Sequence, residues 1–240
     1  MTSQPRFWHT HLSMCRCVAI RGWAFSLILL ASALGAAQEQ ATTVTFTLDF
    51  PNSDPSHYVV SISSNGAASY EGNGRLTPRP SGDGSTDPEP ASRVEFTASQ
   101  ALVNRVFRLT KSAHYFSKEV DLKKSGLAFT GSKTLTYKDN QRSTQATYNY
   151  STVPSVQELT RIFQNLSSTL EFGRRLEYDH RYQKLALDDD LKRMEDSARD
   201  GDLEEVTSVA AILQKIANDR SVINLVRARA LRLLATPGAQ

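Results

Sequence analysis

The sequence predicts an α+β fold, in which an antiparallel sheet of five or six strands carries one packed helix and is followed by a long helix and a small C-terminal helical bundle. Three observations predict it. Val44, Phe46, Leu48 and Phe50 alternate with Thr43, Thr45, Thr47 and Asp49, the period of a strand with one buried face. Two further runs, Tyr58 to Ser64 and Ala67 to Tyr70, flank Asn65-Gly66, a pair whose tolerance of positive φ suits a two-residue hairpin turn. Lastly, Pro154 to Asp200 has no proline after its first residue and a single glycine, Gly173, so nothing in it forbids one long helix.

The first 37 residues contain Arg6, Arg16 and Arg21 but no acid, and an apolar segment runs from Trp23 to Leu34. Gly35-Ala36-Ala37 then supplies small residues for cleavage before Gln38, the layout of a removable export signal. About a dozen apolar residues reach roughly 18 Å as a helix, too short for a hydrocarbon core of about 30 Å. Initiation at Met14 rather than Met1 would give the signal a more ordinary length. The expected organisation is therefore a signal peptide over 1–37, a sheet-plus-helix domain over 38–153, and a long helix with helical bundle over 154–240.

Removing the signal takes three of the 28 basic residues and none of the 25 acidic ones, which leaves a near-neutral chain. Strong non-specific nucleic-acid binding is not favoured by that balance. Both cysteines, Cys15 and Cys17, lie upstream of the apolar segment. The mature chain then has no disulfide, thiolate metal site or cysteine nucleophile, and no cysteine placed for lipid attachment.

The strand at 43–50 ends at Pro51, and the hairpin follows it. From Gly72 to Ser92 the composition shifts to glycine, proline, serine and acids, which reads as a long mobile loop. Val94 and Phe96 suggest a short strand. Thr97 to Gln100 offers a cap for a helix of about four turns through Leu102, Val103, Val106 and Phe107, ending near His114. Leu127 to Lys138 and Thr144 to Ser151 read as paired strands. Leu135 and Tyr137 should share a face with Ala146, Tyr148 and Tyr150, while Thr134, Thr136, Gln145, Thr147 and Asn149 point into water.

In the long helix, Ser155-Val156-Gln157-Glu158 has the spacing of a capping box. Leu159, Ile162, Phe163, Leu166 and Leu170 follow at spacings of three and four, and the stripe resumes through Leu176, Leu187, Leu191, Met194 and Ala198. A continuous helix of some 44 residues would span roughly 66 Å, so it should bridge the sheet and the helices after it. Asp202 and Glu205 suggest a fresh cap for a stripe of Val206, Val209, Ala210, Leu213 and Ile216. Asn218 to Ser221 then breaks the pattern before Val222 to Leu234.

Each group with a chemical reading also has a plainer one. Glu177-x-x-His180 has one half of a di-iron spacing, but no second pair exists, so it reads as an ordinary polar pair on a helix. Asp188, Asp189 and Asp190 point about 100° apart on a helix and do not converge on one ion; they read as a solvated face. Arg220, Arg227, Arg229 and Arg232 suggest an anionic membrane surface, against which the acids at 188 to 205 are a simpler partner. There is no serine-hydrolase elbow and no phosphate loop around Gly72, Gly74, Gly82 and Gly84. Tyr58, Tyr70, Tyr137, Tyr148 and Tyr150 read as core or cross-strand residues rather than a binding face. No catalytic, cofactor or metal residue is assigned.

The run from Ile62-Ser63-Ser64-Asn65-Gly66 to Tyr70-Glu71-Gly72, followed by a helix ending in Ala113-His114-Tyr115-Phe116, resembles uncharacterised exported bacterial proteins with a small sheet-and-helix domain of unknown function. The resemblance covers residues 42 to 150. It implies an envelope or secreted location and no site residues.

The expected function is a non-enzymatic binding or interaction module of the cell envelope or exterior, with another envelope protein or polymer as partner. The alternatives are an enzyme acting on an envelope or extracellular polymer, using a carboxylate pair such as Asp49 with Glu71, and a carrier of a small apolar ligand. Two carboxylates about 5 to 9 Å apart in a cleft would favour the enzyme. An enclosed cavity of at least about 300 Å³ would favour the carrier, and an open apolar patch the binder.

Overall fold

The structure, a computed structural model, describes residues 41–51, 53–76 and 91–235. The predicted signal at 1–37 and most of the predicted loop at 72–92 lie outside the described residues. The described residues belong to one compact unit.

Six antiparallel strands make a single sheet: β1 (Thr43–Asp49), β2 (His57–Ser63), β3 (Ala67–Gly72), β4 (Ser92–Thr97), β5 (Ser132–Lys138) and β6 (Ser143–Tyr148). Their order is β4-β3-β2-β1-β5-β6. Asn65-Gly66 makes the expected turn between β2 and β3, with Gly66 at φ 88° and the Asn65 side chain accepting from the Ala67 amide. Leu135 pairs with Ala146 as expected, but Tyr148 stands opposite Lys133 and Tyr150 lies beyond the ladder, half exposed. The strand predicted from Leu127 begins only at Ser132, after Gly131 at φ 97°.

Two helices cover one face of this sheet, α1 (Gln100–Ser112) and the first half of α2 (Pro154–Tyr182). Val44, Phe46, Val60, Ile62, Tyr70 and Leu135 meet Val106, Leu159, Ile162, Phe163 and Leu166, all fully buried. The Phe46 and Phe163 rings stack at 5.3 Å. Helix α1 starts where Ser99 accepts from the Leu102 amide. It ends in His114, Tyr115 and Phe116, three consecutive left-handed residues with φ of 52°, 55° and 60°. Thr144 donates to the Tyr115 carbonyl, and the Tyr115 ring packs 4.8 Å from Tyr137, so sheet contacts hold this turn.

The predicted helix of 154–200 is two helices. Helix α2 ends at Tyr182, and α3 (Leu187–Asp200) folds back against it after Gln183 to Ala186. Gly173 lies within α2 and does not break it. Folding back places Leu187, Leu191 and Met194 at zero exposure, where an extended helix would have left them as an apolar stripe in water. The remaining helices, α4 (Ala210–Asn218) and α5 (Asn224–Leu234), pack on each other, and α5 packs on α3.

Neither capping box forms at the long helix or after Asp200. Pro154 occupies the start of α2, where its preset φ and missing N–H are at no disadvantage, so Ser155 is already inside the helix and Glu158 accepts from Arg105 instead. Gly201, at φ 79°, closes α3, and the chain from 201 to 205 is then strapped to α2. Asn165 donates to the Gly201 carbonyl at 2.9 Å, and Thr169 donates to the Glu204 carbonyl at 2.8 Å. Glu205 ends that strap in a left-handed conformation, and a 3-10 turn, Val206–Val209, leads into α4. The boundary expected at 153/154 thus runs through one continuous hydrophobic core. No helix among the described residues is long and apolar enough to cross a membrane.

Candidate functional site

The clearest candidate is the end of the helical bundle where the α2–α3 turn lies beside the α4–α5 turn. Asp219 ties them together. Its Oδ2 accepts from Lys184 Nζ at 2.7 Å and from His180 Nε2 at 2.9 Å, while Oδ1 accepts from the Ser221 amide and hydroxyl. The bonds from Lys184 and then Ser221 hold the Asp219 carboxyl well below the usual carboxylate range. Around this polar knot the surface is apolar: Tyr182 is 64% exposed, Leu185 96%, Ile223 62% and Leu225 52%. Tyr182 is braced by Tyr178 at 5.0 Å and by the Arg181 guanidinium at 5.7 Å.

The charges at this end are mainly basic, although Lys184 is paired with Asp219 and the exposed Asp189 lies in the first turn of α3. Over 180–185 and 219–225, Arg181, Lys184 and Arg220 stand against one carboxylate, Asp219. The backbone adds nothing to the balance, since two helix C-termini, of α2 and α4, and two N-termini, of α3 and α5, converge here. Sequence reading misses the patch because Ile223 falls within the apolar run from Val222 to Leu234 and reads as a buried partner of the long helix, whereas it is largely exposed, and Leu185 lies between the apolar stripes. The available signal is at Leu185: a large aliphatic side chain in an interhelical turn has no core to enter.

A second feature is buried. Tyr70 on β3 donates to Glu171 Oε1 at 2.5 Å, and Arg174 Nη1 donates to both Glu171 oxygens at 2.6 and 2.8 Å. Above it opens a cleft of about 480 Å³ between the β1–β2 loop and α2, lined by Asp54, Tyr58, Asn165, Ser167, Phe172 and Arg175 among others. Tyr70 and Arg174 both hold the Glu171 oxygens. Asp54 accepts from the Arg75 amide.

Asp49 and Glu71, the carboxylates considered for an enzyme, are not brought together. Asp49 holds His57 Nδ1 at 2.6 Å, whereas Glu71 sits opposite Val59 and 3.9 Å from Arg93. Strand spacings put their Cα atoms about 12 Å apart on the open face.

The structure places the remaining groups as follows. Glu177 is exposed and His180 is taken up by Asp219. Asp188 pairs with Arg229, Asp189 faces water, and Asp190 is buried against Arg193. Arg229 and Arg232 both reach Glu195, so acids of α3 are the partners of these two arginines, whereas Arg227 donates to the Ala217 carbonyl and to Asn224. Tyr58, Tyr70, Tyr137 and Tyr148 are core residues. Burial pushes the hydroxyls of Tyr58, Tyr70 and Tyr148 far up. The open face of the sheet is instead a lattice of hydroxyls, with Thr45 bonded to Ser61 and Thr134 to Thr147, each at 2.9 Å.

No protein-family model matches this chain, and no curated protein matches it, so the exposed bundle end is the ground on which its function is read.

Proposed function

We propose that this is an exported bacterial protein, a non-enzymatic binding module of the cell envelope or exterior, that engages an envelope component through the end of its helical bundle. One observation carries the reading. Tyr182, Leu185, Ile223 and Leu225 are large apolar side chains left in water on and beside the two interhelical turns that Asp219 ties together. A folded chain gains nothing from that exposure, and such patches mark interaction sites. Export is supported by the charge, apolar length and small-residue site of residues 1–37. The enzyme reading has less to stand on, since Asp49 and Glu71 are apart and Glu171 is held in a closed network.

Binding to envelope fragments tests it. Residues 39–240 should co-sediment with fragments that retain lipid, protein and polymer, and Leu185→Glu should abolish retention. Equal retention of parent and variant would overturn the assignment of the surface. Intact mass of the exported product should show loss of residues 1–37.

A further inference from the structure

We infer that the partner of the bundle end is the surface of an anionic phospholipid bilayer, into whose interface Leu185, Tyr182 and Ile223 insert. This rests on the binding reading above and names its target. The chemistry of the four exposed groups and their surroundings is that of an interfacial contact. Leu185 and Ile223 supply aliphatic surface, and Tyr182 supplies a ring with a polar tip suited to the headgroup level. Arg181 and Arg220 are exposed around them, and their long stems let apolar carbon follow the insertion while the charges stay among the phosphates; Lys184 is paired with Asp219.

The other occupants fit less well. In a second copy docked about a two-fold axis, Arg181 and Arg220 of each tip would face like charges. The four side chains also fall well short of the roughly 800 Å² per partner that a stable protein interface buries. A bilayer needs no matched shape. It accepts a small convex apolar tip and is itself negatively charged, which complements the cation excess here. Arg229 and Arg232 are not the contact, because Arg229 lies between Asp188 and Glu195 and Arg232 reaches Glu195, while Arg227 donates to the Ala217 carbonyl. Basic residues at the interhelical turns take that part.

Asp219 gives the tip its rigidity. His180 in the last turn of α2, Lys184 on the α2–α3 turn and Ser221 on the α4–α5 turn all converge on it, so Tyr182, Leu185 and Ile223 are held out together rather than free to collapse onto the bundle.

The test uses residues 39–240, whose described residues belong to one compact unit and which exclude the apolar segment at 23–34. Both tryptophans of the chain, Trp8 and Trp23, are also left out, so Tyr182→Trp introduces a sole tryptophan as reporter at the tip. Protein-free vesicles of phosphatidylglycerol and of phosphatidylcholine are compared. Expected are co-sedimentation with phosphatidylglycerol, a blue shift of the reporter's emission on binding, and weaker binding to phosphatidylcholine. Leu185→Glu should weaken partitioning about tenfold or more, and Arg220→Glu should reduce it several-fold and flatten its salt dependence. No vesicle binding, or binding indifferent to Leu185→Glu, overturns the inference. If residues 39–240 bind envelope fragments in a Leu185-dependent way yet ignore both vesicles, the bilayer is wrong and the binding reading stands. If they bind neither, both fall.

Discussion

Tyr70 and Glu171, 101 residues apart in sequence, join the sheet to α2 by a 2.5 Å hydrogen bond in which the phenol donates to the carboxylate. The glycines of the same strand end are shaped around this bond. A Cβ at Gly72 would land on the Tyr70 hydroxyl, and one at Gly74 on the Glu171 carboxylate. Arg174 completes the set, with its side chain only 11% exposed.

Removing the two partners should not cost the same. Tyr70→Phe leaves Glu171 its charge-assisted bonds to Arg174, and should lower unfolding free energy by about 1–2 kcal/mol. Glu171→Ala strands a largely buried guanidinium, and should cost about 3–5 kcal/mol. Urea unfolding of residues 39–240 measures both. A larger loss for Tyr70→Phe would mean that the phenol, not the ion pair, anchors the interface.

Stability should fall in alkali. Tyr58, Tyr70 and Tyr148 have hydroxyls raised from an ordinary value of 10.0, chiefly by burial, with the Glu171 charge adding at Tyr70. Below pH 10 these hydroxyls are protonated in both folded and unfolded chains, and their contribution is intact. Above it the unfolded chain loses protons that the folded chain keeps, so stability drops by up to about 1.4 kcal/mol per pH unit for each tyrosine. Thermal melts between pH 9 and 12 should show the decline, and Tyr148→Phe should make it shallower.

Where apolar periodicity and turn chemistry agree, the fold is legible. Val44, Phe46 and Leu48 point inward as their alternation requires, and Asn65-Gly66 turns where positive φ is cheapest. The break of the long helix at Gln183 to Ala186 is not legible, because no glycine or proline marks it. It is set by the gain from laying Leu187, Leu191 and Met194 on α2 and α5, a tertiary term absent from local pattern. Ser155 and Glu158 have the spacing of a cap but lose it to Pro154 and Arg105. The exposed tip is illegible for a related reason: whether Leu185 is core or surface depends on which way the chain turns at 183.

Gly173 marks a close approach rather than a break. A Cβ there would come within 2.5 Å of a Val209 methyl, on the turn that crosses α2. Gly173→Ala should therefore destabilise, although alanine gains about 1 kcal/mol in helix propensity. Adding Val209→Ala should recover part of the loss, a coupling that a double-mutant cycle reads directly. Additive effects would show that the two sites do not touch.

His114 occupies the left-handed position that closes α1, with φ 52° and its side chain in water. Glycine is the residue that this conformation favours after a helix. His114→Gly should raise the melting temperature, corresponding to about 1 kcal/mol. The same change at Phe116, φ 60° but buried, should lower it, since lost packing outweighs relieved strain. Equal and opposite responses at these neighbouring positions would separate strain from packing.

Ending the chain at Asp200 should unfold α3 while sparing the sheet. Leu187, Leu191 and Met194 are fully buried between α2 and the later helices, and Asp188 and Glu195 take their cations from α5. Truncation removes α4 and α5 and leaves three apolar side chains and two carboxylates without partners. At about 25 cal/mol per Å² the apolar part alone is several kcal/mol, comparable with a domain's whole stability. The straps from Asn165 and Thr169 to residues 201–204 go as well, so the second half of α2 loses its cover near Gly173. The first half keeps Leu159, Ile162 and Phe163 on the sheet, where Phe46 stacks on Phe163. Hydrogen exchange should show amides of 187–199 falling to unprotected rates, amides of 174–182 weakened, and β1, β2 and β5 still protected. Unchanged protection over 187–199 would mean that α3 draws its stability from α2 alone.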